Sequence, residues 1–104
     1  MNNFENVSIE KKANVYFDGG VTSRTINFAG GEVKTLGIIQ PGEYEFKTGK
    51  KEIMDMLAGN VEVLLAGSTE WKQYASGDVF EIPANSSFRI RTEGLADYCC
   101  SFVD

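Results

Sequence analysis

The sequence predicts an all-β domain. From Tyr16 onward, short segments rich in Val, Ile, Phe, Tyr and Thr recur, clusters of Gly, Pro, Asn and Ser separate them, and helix signals are nearly absent. A chain of 104 residues supports one hydrophobic core and not two. With 42% hydrophobic and 24% charged residues, it has the composition of a globular domain rather than a disordered one. Eleven glycines supply the φ > 0 corners that many tight turns need, and the aromatic residues favour pleated surfaces, so a sandwich or barrel follows.

Each element has its own signal. Asp18-Gly19-Gly20 reads as a turn into a strand from Val21 to Phe28, closed by Gly30-Gly31. Lys34 to Ile39 is the next strand, ended by Pro41-Gly42. Glu43-Tyr44-Glu45-Phe46 then alternates in period two, placing Tyr44, Phe46 and Thr48 on one face. Glu52 to Leu57, Ala58-Gly59-Asn60 and Val61 to Leu65 together read as a β-hairpin. Ala66 to Thr69 is a loop, Glu70 to Tyr74 a short strand around Trp71, and Ser76-Gly77-Asp78 a turn. Val79 to Ile82 is extended up to Pro83, and strands from Phe88 to Arg91 and Tyr98 to Val103 complete the chain. Residues 1–14 have weak periodicity and read as an N-terminal arm or a frayed strand, leaving 15–104 as the folded domain.

Charge and cysteine content exclude some functions. A formal charge of -5, with no run of lysine or arginine standing apart from acidic neighbours, argues against a nucleic-acid polymer or an anionic membrane as partner. A small phosphate-bearing or polyhydroxylated ligand stays compatible, because one or two local arginines can serve it. Cys99 and Cys100 are adjacent and point to opposite faces of a strand, so reduced thiols are expected. The first twenty residues hold no apolar stretch of signal-peptide length, and no segment is long enough to span a bilayer as a helix. The expected location is cytoplasmic.

Two stretches resemble the paired motifs of the cupins. Pro41-Gly42-Glu43-Tyr44-Glu45-Phe46 with Glu52 and Gly59 is similar to the first motif, and Gly77 through Pro83 to Phe88 to the second. The resemblance implies a cupin-type double-stranded β-helix, that is, a jelly-roll barrel. Metal cupins bring three histidines and a glutamate to these motifs. Here the matching positions hold Phe46, Thr48, Glu52 and Phe88, and the chain has no histidine. One carboxylate does not hold a transition metal tightly against water, so no metal cofactor is expected.

A wider set of segments narrows this. Tyr16-Phe17-Asp18-Gly19, Ser23-Arg24-Thr25, Thr35-Leu36-Gly37, the first motif, Glu70-Trp71, Phe80 to Ser86 and Tyr98-Cys99-Cys100 resemble the pyrimidine/purine nucleoside phosphorylase family of small bacterial cupin-like proteins. The likeness runs from Val15 to Phe102; Asp55 and the basic stretch Lys47 to Lys51 depart from it. It implies phosphorolysis of purine and pyrimidine nucleosides to free base and pentose 1-phosphate, with inorganic phosphate as co-substrate and no cofactor. A homodimer is also expected, since small cupins cover sheet edges by pairing.

Phosphorolysis needs donors for phosphate, acceptors for the sugar hydroxyls and a proton or donor for the leaving base. Glu52 is the catalytic candidate, accepting from ribose hydroxyls and stabilising positive charge, or else a solvated strand residue. Arg24 offers a bidentate fork to phosphate, or is an exposed arginine. Thr48 is a further hydroxyl donor or simply a good strand former. Tyr44, Phe46, Phe80 and Phe88 stack a base or fill the barrel core. Trp71 is rim, core or dimer contact. Arg91 reaches the phosphate only if its face points inward, and the two cysteines read as packed thiols. The rival functions are a non-catalytic domain that binds a sugar or nucleoside, and a structural dimerisation module. An inward carboxylate and an inward cation on one pocket favour the enzyme; an interior filled by side chains favours the module.

Overall fold

The computed structural model describes residues 3–104. Among them are eleven strands and one 3-10 turn, Phe17–Gly19, with no α-helix. The strands are β1 (Val7–Ile9), β2 (Asn14–Tyr16), β3 (Val21–Phe28), β4 (Val33–Ile39), β5 (Gly42–Lys47), β6 (Lys51–Ala58), β7 (Asn60–Leu65), β8 (Lys72–Ala75), β9 (Val79–Ile82), β10 (Ser87–Thr92) and β11 (Ala96–Val103).

They form two antiparallel sheets. The larger runs β1-β3-β4-β11-β6-β9, with β2 also on β3, and the smaller runs β5-β10-β7-β8. Period-two alternation puts one side of each strand into the space between them. In the larger sheet, Ser23, Gly37, Tyr98 and Met56 form one inward row by register, and Thr35, Cys100, Met54 and Phe80 the next. From the smaller sheet, Phe46, Phe88 and Leu65 form one row and Tyr44, Ile90 and Val63 another. Ile39, Met56, Val61, Ile82 and Ile90 are almost wholly buried. Each such side chain contributes roughly 1.5–3 kcal/mol of hydrophobic stabilisation. Where β8 and β9 meet, Tyr74 of the small sheet stacks on Phe80 of the large one, with ring centroids 4.2 Å apart and planes at 18°. The layout is a sandwich of two antiparallel sheets, as the jelly-roll expectation requires.

The expected β6–β7 hairpin does not form. β6 pairs with β11 and β9, β7 with β10 and β8, so the chain passes from one sheet to the other at Gly59. Gly59 has φ +83 and its backbone abuts the Leu95 carbonyl and Ala96. A turn signal marks a change of direction without saying which sheet receives the next strand.

The segment read as an arm or a frayed strand pairs with the large sheet. β1 lies against Phe28, Asn27 and Ile26, and β2 against Ser23, Thr22 and Val21 of the same strand. Together they form one interrupted edge strand, broken at Glu10 to Ala13.

Candidate active site

One end of the space between the sheets is not filled. A cavity of about 350 Å³ opens there beside the loop between β5 and β6. The large sheet contributes Ser23, Thr35, Tyr98, Cys100 and Glu52, and the small sheet contributes Phe46, Phe88 and Ile90. Small hydroxyl side chains explain the space. Ser23 and Thr35 are buried at inward positions where a branched aliphatic would close the gap. Gly37 does the same for Tyr98, whose ring lies over the bare glycine backbone; a Cβ there would sit 2.6 Å from the phenol.

Glu52 enters this cavity from β6 between apolar neighbours, with Phe102 across on β11 and Ile82 across on β9. The Cys100 thiol donates to its Oε1 at 3.6 Å. Burial pushes the Glu52 carboxyl above its ordinary 4.5, and the hydrogen bond from Cys100 pulls the other way. Cys100 is itself pushed well above the usual thiol value by burial and by the carboxylate beside it. Tyr98 is raised chiefly by burial, with smaller contributions from Cys100, Tyr16 and Glu52, against a hydrogen bond from Ser23. At neutral pH both groups therefore stay protonated, Cys100 with its hydrogen directed at Glu52 and Tyr98 as a donor to anything in the cavity.

Positive charge stands at the mouth. Lys47 and Lys50 both line the cavity. Lys50 Nζ pairs with Asp104 at 3.0 Å, while Lys47 has no ion pair among the described residues. The aromatic wall is also built. Phe46 and Phe88 lie stacked with centroids 5.6 Å apart and planes at 21°, and Tyr16 meets Phe46 edge-on at 5.7 Å. Phe17 packs on Tyr44 and Phe46 from a left-handed backbone position, φ 53, which a bulky residue adopts only when its surroundings hold it there.

The donor set does not fit a metal. Of the four positions matching cupin ligands, Phe46 and Phe88 are the aromatic wall and Thr48 is committed to the backbone, leaving Glu52 alone with a protonated thiol. Among the described residues no three His, Cys, Asp or Glu side chains gather as metal ligands would.

Residues 11–102 match the family model for pyrimidine/purine nucleoside phosphorylase. A pyrimidine/purine nucleoside phosphorylase from Hydrogenovibrio crunogenus is 57% identical over 104 residues, covering 100% of both chains. This chain belongs to the pyrimidine/purine nucleoside phosphorylase family. A solved structure of a protein of unknown function from Acinetobacter sp. ADP1 superposes with a TM-score of 0.94 at 39% identity, over 97% of this chain and 98% of that one. An RmlC-like cupin from Shewanella frigidimarina superposes at 0.70 with 16% identity, over 97% and 86% of the two chains, and shows the shared fold.

Within this phosphorylase-family chain, the residues picked from sequence divide. Glu52, Phe46 and Phe88 come together at the cavity. Arg24 does not. Its neighbour Ser23 takes the inward position, so parity turns Arg24 to the outer face, where its Nε donates to the Lys11 carbonyl at 3.4 Å. Arg91 also points away. It lines a separate groove of about 780 Å³ at the other end of the small sheet, with its guanidinium 3.8 Å from the Trp71 ring centroid and its Nε donating to Glu62 at 3.0 Å. Tyr44 is half-buried beside Gly20 and Gly42, its hydroxyl donating to the Gln40 carbonyl at 3.0 Å, and Phe80 is spent on Tyr74. Neither lines the cavity.

Thr48 is a structural pin. Its hydroxyl donates to the Pro83 carbonyl at 2.7 Å and accepts from the Ser86 amide at 2.9 Å, tying the loop after β5 to the loop after β9. Thr48→Val keeps the shape and strands both partners. It is expected to lower stability by about 1–3 kcal/mol, read as a lower urea midpoint with an unchanged m-value.

Ser23, Thr35, Tyr98, Cys100, Lys47 and Lys50 were not expected as site residues. Buried hydroxyls at alternate strand positions were the available signal for the first two. The two lysines stand out only as part of the basic stretch Lys47 to Lys51, and parity turns Lys47 outward, so that it reaches the mouth only where β5 ends.

Proposed function

We propose that this protein catalyses phosphorolysis of purine and pyrimidine nucleosides, giving free base and pentose 1-phosphate. One observation carries the reading: a half-buried carboxyl, Glu52, and two ammonium groups, Lys47 and Lys50, share one cavity with a stacked aromatic pair. The lysines take the phosphate, a point-charge contact that suits an anion at a solvent-facing mouth. Glu52 meets the sugar hydroxyls beside the reacting carbon, where positive charge develops as the base departs. Phe46 and Phe88 supply an apolar wall that contacts a base without reading its edge, which accounts for tolerance of both base classes. Membership of the phosphorylase family supports the same chemistry.

The test is release of base from inosine or uridine by the purified protein, with and without phosphate. Release that depends on phosphate supports phosphorolysis; release that ignores it indicates a hydrolase. Binding of nucleoside without release supports the sugar- or nucleoside-binding alternative. Lys47→Ala is expected to raise the KM for phosphate about tenfold, the loss of one charge-assisted contact, with a smaller change in KM for nucleoside.

A further inference from the structure

We propose that Glu52 carries the proton that leaves with the base, and that Cys100 is the positioning residue that aims it. The inference rests on the nucleoside reading above and names the group that completes the reaction.

The surroundings of Glu52 favour a neutral carboxyl poised to donate. Its lateral neighbours on both flanking strands are Phe102 and Ile82. It has no ion pair among the described residues: Lys51 is held by Glu81 at 2.8 Å, and Lys47 and Lys50 stand at the cavity mouth without pairing with it. The polar groups sharing the cavity are Cys100 and Tyr98 from β11, Ser23 from β3, Thr35 from β4, Tyr16 from β2, and the two mouth lysines; β9 and β10 add no charged group there. Burial raises the carboxyl above its ordinary value, which favours the protonated form that a proton donor needs. The Cys100 thiol reaches Oε1 at 3.6 Å and so fixes one oxygen, while Oε2 has no hydrogen bond among the described residues. Cys100 acts only through Glu52, since burial keeps it a thiol rather than a nucleophilic thiolate.

The step balances without a further reactant. An oxygen of monohydrogen phosphate forms its bond to the anomeric carbon while the C–N bond breaks, its electron pair passing to the base. Glu52 gives its proton to the base. The resulting carboxylate then takes the hydrogen of the phosphate, so the products are neutral base and pentose 1-phosphate dianion, with Glu52 restored.

Substrates that differ only in their need for a proton test this. Inosine needs one to release its base, whereas 7-methylinosine carries a quaternary ring nitrogen and leaves as a neutral base without it. Glutamine at position 52 still hydrogen-bonds sugar hydroxyls but has no proton to give. Glu52→Gln is expected to slow phosphate-dependent release from inosine about 100-fold or more. Release from 7-methylinosine is expected to stay within about threefold of wild type. Equal loss on both substrates, with the far-ultraviolet spectrum unchanged, overturns the proton role and leaves the phosphorylase reading standing. Wild-type protein that releases base from neither overturns both.

Two conservative changes at Cys100 give a second readout. Cys100→Ala removes a hydrogen bond to the ionised carboxylate and should move the alkaline limb of the kcat/KM profile to higher pH. Cys100→Ser supplies a stronger donor and should move it lower. Shifts of the same sign, or none, overturn the positioning role.

Discussion

Glu52→Ala is expected to lower phosphate-dependent base release from ordinary nucleosides by about 10²–10⁴-fold, the usual weight of a positioned proton donor, while the protein stays folded. The second half of that expectation follows from burial. Desolvation raises the folded-state pKa of Glu52 above its ordinary value, so the folded chain binds this proton more tightly than the unfolded chain does. Its contribution to stability is present in full below the ordinary carboxyl value and is lost as pH rises through the raised one. Measured against wild type, Glu52→Ala should therefore gain relative stability between acid and neutral pH. Urea midpoints of both proteins at two pH values check the sign, and initial rates with saturating phosphate check the turnover. Unchanged turnover would remove Glu52 from the mechanism.

Gly59→Ala is expected to cost about 2–4 kcal/mol, a fall in Tm of roughly 10 °C or more for a domain of this size. Two independent penalties meet at this position. The backbone is left-handed at φ +83, and the added Cβ would run into the Leu95 carbonyl and come within 3.0 Å of Ala96 Cα, both on main chain that leads into β11. Neither can move without disturbing the central strand of the larger sheet. Gly30→Ala is the control. Nothing lies within 4 Å of its Cβ position and its φ is not left-handed, so that variant should be neutral or more stable by up to about 1 kcal/mol. Equal losses at the two positions would show that the crossover geometry is not what makes Gly59 special.

Much of the fold was readable because alternation is a local signal. Val21–Phe28 and Val79–Ile82 form at the bounds expected from their apolar spacing and flanking turns. Pairing is not local, and the β6–β7 crossover shows the limit: Gly59 does bend the chain between two strands, yet their partners include β10 and β11 far along the sequence. The site divides in the same way. Glu52 was legible from its place in a motif, and Phe46 and Phe88 from parity. Arg24 has the chemistry for phosphate, but the same parity, applied from buried Val21, turns it outward. The mouth lysines and the thiol hydrogen bond depend on where strand ends and neighbouring strands meet in space, which no single segment encodes.

The split strand along β3 has a consequence for solubility. An unbroken outer strand would offer a long row of free amides and carbonyls onto which another chain's strand could zip. Here that row is cut at Glu10 to Ala13, and the gap carries Lys11 and Lys12, whose ammonium groups repel a second copy arriving in the same register. The rim of the larger sheet thus caps itself, and growth of a ribbon from this side stalls after a few residues.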